Sequence, residues 1–413
     1  MRLRYSVLSL PVLAFTLPAL AADLDSAIRQ HRTGTLIIQA RPGAKVQIEQ
    51  IRHEFWFGAT VPTGMFTGRM SAEDQKKFNE VFTSHFNAGV IEASFKWHDM
   101  ERERGVVNYA TVDAMLRWAD TAAIPLRGHC IFWGIPNRVQ PWLKDLSDAE
   151  LRRELMQRGR AIGARYRDRF AEYDLNNEMI HANYYEQRLG DGITREMAQW
   201  VKDGDPNARL FVNDYDITTG NKLDDYVRHI RKLLDQGVPI EGIGVQGHLH
   251  GDSFDPAALR NSLDVLSQFK LPIRITEFNF PGQRSKYYRD AEARKIQLSP
   301  EEEQAKAAAL KDFFRICFAH PAVTGIMMWG FWEAANWIPQ SSLYKRDWTP
   351  TPAAAAYEDL VLKQWWTRWS GTTDARGRAE IRAFFGKYKV SVEGKETVME
   401  LKKADGRLTV KAE

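Results

Sequence analysis

The sequence predicts an α/β fold: a closed (β/α)8 TIM barrel carrying a small accessory β module built from the two ends of the chain. Three observations lead there. Eight short runs rich in β-branched and aromatic residues alternate with amphipathic helical stretches between residues 55 and 331, the pattern of parallel βαβ units. The 413 residues leave room for a barrel of about 250 residues and one small module. No glycine-rich phosphate loop follows the first run, which argues against an open doubly wound sheet.

The chain starts MRLRYSVLSLPVLAFTLPALAAD. A basic start, an apolar centre and a small-x-small site predict a signal peptide over residues 1–21, cut after Ala21. A membrane anchor is the alternative, but the run is short for a span and lacks a basic stop flank. A secreted or periplasmic protein is expected, with no membrane association after cleavage. Residues 22–53 read as an N-terminal β segment, in which GTLIIQARPGAKVQIEQIR (34–52) forms a hairpin turning at Pro42-Gly43.

The barrel is assigned to residues 54–366. Its strands are expected at 55–61, 88–95, 126–133, 171–178, 209–215, 242–248, 272–278 and 323–331. Helical patterns fill 72–86, 149–169, 223–237 and 300–320 between them. Residues 367–413 form the C-terminal part of the module. Four short strands are expected there, with turns at Glu393-Gly394 and Asp405-Gly406. The two ends are predicted to pair.

Composition narrows the partners. Hydrophobic residues make up 44% and charged residues 27%, a balance that supports a large core. Signal cleavage would remove Arg2 and Arg4 and lower the formal charge of +4 by two. So small a net charge argues against a nucleic-acid partner. Cys130 and Cys317 lie in apolar runs and are read as buried free thiols rather than a disulfide. No cofactor and no metal site is expected, and the protein is expected to be a monomer.

Barrel active sites collect at the C-terminal ends of the strands. The polar and aromatic residues falling there are Glu92 and Lys96 after strand two, and His129 and Trp133 on strand three. Asn177 and Glu178 end strand four, and Tyr215 ends strand five. Gln246 and His248 end strand six, Glu277 ends strand seven, and Trp329 and Trp337 follow strand eight. Two carboxylates on opposite strands suit glycosidic hydrolysis: one protonates the leaving oxygen and the other acts from the far side of the sugar. Glu178 and Glu277 are the best pair. Asn177, immediately before Glu178, is placed to hold a sugar hydroxyl. Flat indole faces suit the CH-rich face of a pyranose.

Seven segments, FKWHDMERERG, LRGHCIFWGIPNRVQPWL, YDLNNEMIH, FVNDYDI, GIGVQGHLH, RITEFNF and MMWGFWEAANW, resemble in order the motifs of glycoside hydrolase family 10, mainly retaining endo-1,4-β-xylanases. The resemblance covers roughly residues 54–362. It implies an acid/base role for Glu178, a nucleophile role for Glu277 and a grip of Asn177 on the sugar 2-hydroxyl. It implies glycone contacts for Lys96, His129 and Trp133, positions near the nucleophile for Gln246 and His248, and an aromatic wall of Trp329 and Trp337. A xylan-like polysaccharide or oligosaccharide is the implied substrate.

Three positions depart from the family pattern. Ala93 stands for an Asn, Gly134 for a His and Asn279 for an Asp. The first two are expected to open room for a decorated or different sugar; the third removes a charge beside His248. A hydrolase or transglycosylase for another β-linked glycan, and a non-catalytic carbohydrate-binding protein, therefore stay open as alternatives.

Overall fold

The structure, a computed structural model, describes residues 17–412. Residues 1–16 of the predicted signal peptide lie outside the described residues. The first element is a helix, Leu17–Arg32, where a β segment was expected from residue 22. Its end is fixed by tertiary contact. Arg32 is buried and donates to the carbonyls of Phe318 and His320 at the end of helix Pro300–Ala319 and of Val323 just beyond it.

Two strands follow, β1 (Thr33–Gln39) and β2 (Lys45–His53). The barrel strands are β3 (Trp56–Val61), β4 (Ala88–Ile91), β5 (Leu126–Gly128), β6 (Phe132–Trp133), β7 (Glu172–Asn177), β8 (Leu210–Asp214), β9 (Gly242–Val245), β10 (Ile273–Phe278) and β11 (Val323–Met328). All are parallel, and the ladder closes where β5 pairs with β7. The third barrel position is split. The expected continuous strand 126–133 breaks between β5 and β6, with a cis peptide at His129-Cys130. The break separates the pairing of β5 from that of β6 and leaves His129 between them.

Helices cover the barrel as the periodicity predicts. Ala72–His85 starts at the Ser71 cap, and Asp148–Arg165 and Pro300–Ala319 start at the capping boxes of Ser147 with Glu150 and Ser299 with Glu302. Cys130 and Cys317 are buried and free.

The barrel interior is not wholly apolar. Arg274 holds both oxygens of Glu172, at 3.1 and 2.9 Å. Arg127 joins Glu172 to Asp174, and Asp174 meets His129 Nδ1 at 2.8 Å. Arg127, Glu172 and Asp174 are fully buried. Buried charges survive only when paired and hydrogen-bonded throughout, and this chain leads from the barrel floor to the site.

After the barrel come β12 (Arg368–Thr372), β13 (Arg378–Phe384), β14 (Gly386–Val392), β15 (Lys395–Leu401) and β16 (Arg407–Lys411). The last four stand where the sequence puts them; β12, reading RWSGT, is too short and glycine-containing to signal itself. Together with β1 and β2 they form two sheets, ordered β13-β1-β16 and β12-β2-β14-β15. Leu36, Ile38, Val46, Ile48, Tyr388 and Val390 form a shared core between the sheets.

The predicted 34–52 hairpin does not form: β1 and β2 belong to different sheets. The turn at Pro42-Gly43 is real, with Gly43 at φ 73°. Its backbone groups, however, bond to the C-terminal chain. Ala40 N donates to Gly377 O at 2.9 Å, and Ala44 and Thr373 exchange N–H···O contacts at 3.0 Å. The turn thus carries the chain between sheets.

Candidate active site

A cavity of about 340 Å³ opens at the C-terminal mouth of the barrel. Glu178 stands on one side. β7 ends at Asn177, and Glu178 takes a left-handed backbone, φ 61°, uncommon for a side chain of this kind. The turn is held by Glu178 N donating to Asn213 O at 2.9 Å and by Ile180 N donating to Asp214 Oδ2 at 3.0 Å. Gln246 Nε2 donates to Oε1 of Glu178 at 2.9 Å and Trp133 Nε1 to Oε2 at 3.0 Å.

Glu277 stands on β10. Asn213 Nδ2 donates to its Oε1 at 2.9 Å. His248 Nε2 lies 3.1 Å from its Oε2, and His129 Nδ1 lies 3.9 Å from Oε1. Asn213 Nδ2 also reaches Asn177 Oδ1 at 3.0 Å, which fixes the Asn177 amide. Asn177 Nδ2 is then a buried donor with no hydrogen-bond partner among the described residues.

The two carboxyls are pushed apart electrostatically. Burial raises Glu178, and the negative charge of Glu277 raises it further against the hydrogen bonds from Gln246 and Trp133. Burial alone would raise Glu277 too, but His129, His248 and Lys96 outweigh it and hold Glu277 at about 2. One group is poised to give a proton while the other is ionised, the arrangement of an acid and a nucleophile in one site.

The remaining predicted residues are placed as follows. Lys96 reaches the faces of Trp133 and Trp329, 5.0 and 5.6 Å from the ring centroids. His129, Tyr215, His248, Trp329 and Trp337 line the same cavity. Tyr215 stacks on His181 with centroids 3.5 Å apart. Asn177 lies beneath the cavity, through Asn213. Glu92 is elsewhere: it lies in a neighbouring cleft of about 450 Å³ beside Ala93. That cleft shares Thr63, Arg69 and Ala93 with a further cleft of about 530 Å³. The space expected at Ala93 therefore exists.

The space expected at Gly134 does not. A Cβ there would meet Asn183 Oδ1 at 2.9 Å and Tyr184 N at 3.3 Å. Gly134 O accepts from Tyr184 N at 2.8 Å, so glycine admits the loop after β7 and the place is filled.

Sequence reasoning put Asn213 at the end of strand five but gave it no role, and it missed Asp174 and Arg138. Asn213 needed its partners to show a role, because Asn177 and Glu277 meet it from other strands. Asp174 acts through His129. Arg138 sits at the mouth with its guanidinium 4.9 Å from the Trp133 centroid, on a loop with no periodic signal.

Comparison with known proteins agrees with this fold. The profile of Glycosyl hydrolase family 10 matches residues 50–360. The anti-sigma-I factor RsgI6 of Acetivibrio thermocellus is 34% identical over 350 residues, covering 84% of this chain and 42% of that protein. Endo-1,4-beta-xylanase 1 of Arabidopsis thaliana is 33% identical over 354 residues, covering 85% of this chain and 34% of that protein. The chain thus spans less than half of the length of either relative. The native xylanase 10B of Thermotoga maritima superposes with a TM-score of 0.66 at 23% identity, covering 75% of this chain and 96% of that one.

Proposed function

The chain belongs to glycosyl hydrolase family 10, and from that premise we propose that it is an exported endo-1,4-β-xylanase that cleaves xylan with retention of configuration. Glu178 protonates the glycosidic oxygen as it leaves. Glu277 attacks the anomeric carbon and forms a glycosyl ester. Glu178, now ionised, takes a proton from water, whose oxygen attacks the same carbon and releases Glu277 as carboxylate. Asn177 Nδ2 holds the 2-hydroxyl of the reacting sugar.

The observation that carries this reading is the opposite displacement of the two carboxyls, Glu178 upward and Glu277 to about 2. A non-catalytic sugar-binding role would not call for it. The clefts beside Ala93 favour a decorated chain over a bare one as the preferred xylan.

The test is release of new reducing ends from glucuronoxylan by the mature protein, with Glu277→Gln as the blank. Release by the wild type alone supports the reading, and the anomer formed first, read by NMR, tests retention. No release from either protein defeats it. N-terminal sequencing of the exported protein tests cleavage after Ala21.

A further inference from the structure

Asn279 is 1% exposed and its side-chain amide makes four contacts. Oδ1 lies 2.8 Å from His248 Nδ1 and 2.9 Å from Trp337 Nε1. Nδ2 lies 2.7 Å from Ser341 Oγ and 3.3 Å from Trp329 O. Two of these partners have no choice of role. An indole N–H only donates, so it must face Oδ1. A carbonyl only accepts, so it must face Nδ2. Ser341 agrees with both: its hydroxyl hydrogen goes to Ile338 O at 2.8 Å, which leaves its oxygen to accept. The orientation of the amide is therefore set without reference to His248.

That orientation decides the protons on His248. Its Nδ1 faces an acceptor and must carry hydrogen. Its Nε2 faces Oε2 of Glu277 at 3.1 Å. In the neutral ring Nε2 would then be a lone pair set against a carboxylate; only the doubly protonated ring makes a charge-assisted hydrogen bond there.

We propose that Asn279 is a positioning residue that fixes the proton on His248 Nδ1, so that Glu277 has its histidine donor only while His248 carries a second proton. The inference rests on the reading of Glu277 as nucleophile for its catalytic meaning: the lost donor is the one that stabilises the carboxylate released when the glycosyl ester breaks. The pocket is built for an amide. A carboxylate at position 279 would have no hydrogens for Trp329 O and Ser341 Oγ, and it would set a second negative charge against the histidine.

The charged and titratable groups around the pair are Lys96, His129 with Asp174 behind it, Glu178 across the cavity, and His250 two residues along the chain. From β11 and the segment after it, the groups contacting Asn279 and His248 are the neutral Trp329, Trp337 and Ser341.

The experiment is ¹⁵N NMR of the full chain labelled at histidine, with His248 assigned from the signals missing in His248→Asn. In the wild type Nδ1 is expected to stay protonated across the titration while only Nε2 gains and loses its hydrogen. A neutral His248 with hydrogen on Nε2 and none on Nδ1 overturns the proposal. In Asn279→Asp the second proton is expected to persist to a pH about 1–3 units higher. A folded Asn279→Asp variant that titrates like the wild type also overturns it. Neither readout depends on which glycan the protein cleaves.

Discussion

Trp133 donates its indole N–H to Oε2 of Glu178 across 3.0 Å, so a side chain that lines the cavity also favours the ionised form of Glu178. Trp133→Phe keeps a ring and removes the donor. Glu178 then rises further, and the basic limb of kcat/KM moves to higher pH. Loss of a hydrogen bond to a charged group lowers kcat/KM by about tenfold or more. Steady-state rates between pH 3 and 9 check both; an unmoved limb would separate Trp133 from the acid.

The wild-type profile of kcat/KM should be a bell. The nucleophile must be ionised, so activity falls as pH drops toward the Glu277 value of about 2. The acid must be protonated, so activity falls as pH rises through the value of Glu178, which burial places above the ordinary glutamate range. A profile still rising above pH 9 would be incompatible with Glu178 as the acid.

Replacement of either carboxyl separates their roles. Glu277→Gln should lower turnover by about 10⁴-fold or more on every substrate. Glu178→Ala should cost about 10²–10⁴-fold on xylan and much less on an aryl glycoside whose leaving group needs no proton. Equal losses on the two substrates would argue against the acid role.

Stability should move in opposite directions in the two isosteric variants. Glu277 is held below its unfolded value, so its ionised form stabilises the fold above about pH 4.5, and that contribution is lost as pH falls toward 2. Glu178 is raised, so its burial costs stability once pH exceeds the unfolded value. Melting at pH 7 should show Glu277→Gln less stable than wild type and Glu178→Gln more stable. At pH 4 both differences should shrink.

The β module should fail as a unit. β1 lies between β13 and β16, and β2 between β12 and β14. Truncation after Ser370 removes β13, β14 and β16, leaving β1 without a strand partner among the described residues and β2 with only the stump of β12. Limited proteolysis should then cut within 33–53 at protein concentrations where the full chain resists. Resistance of the truncated chain would show that the N-terminal strands hold to the barrel unaided.

Much of the fold and part of the site are legible before any coordinates. Eight buried parallel strands announce themselves because short runs rich in β-branched and aromatic residues alternate with amphipathic helical stretches. Helix starts at Ser71, Ser147 and Ser299 announce themselves because capping is a contact within four residues. Glu178 and Glu277 stand out because barrel geometry sends strand ends to one rim. The 34–52 hairpin misled because a proline-glycine turn reads the same whether it joins strands of one sheet or of two.

By itself the sequence determined most of the barrel and module elements, their order and the residue types delivered to the barrel mouth, because propensity, capping and strand period are local properties; the helix Leu17–Arg32, β12 and the split of β5 from β6 escaped it. Only the tertiary structure decided which partners those residues meet. A register shift between Asp174 and Asn177 sets Asn177 beside Asn213. Tyr184 closes on Gly134, and Trp337 and the Trp329 carbonyl turn the Asn279 amide toward His248. Each of these contacts joins residues far apart in the chain or depends on backbone irregularity, and hydrogen-bond direction follows from the whole set of partners rather than from any one of them.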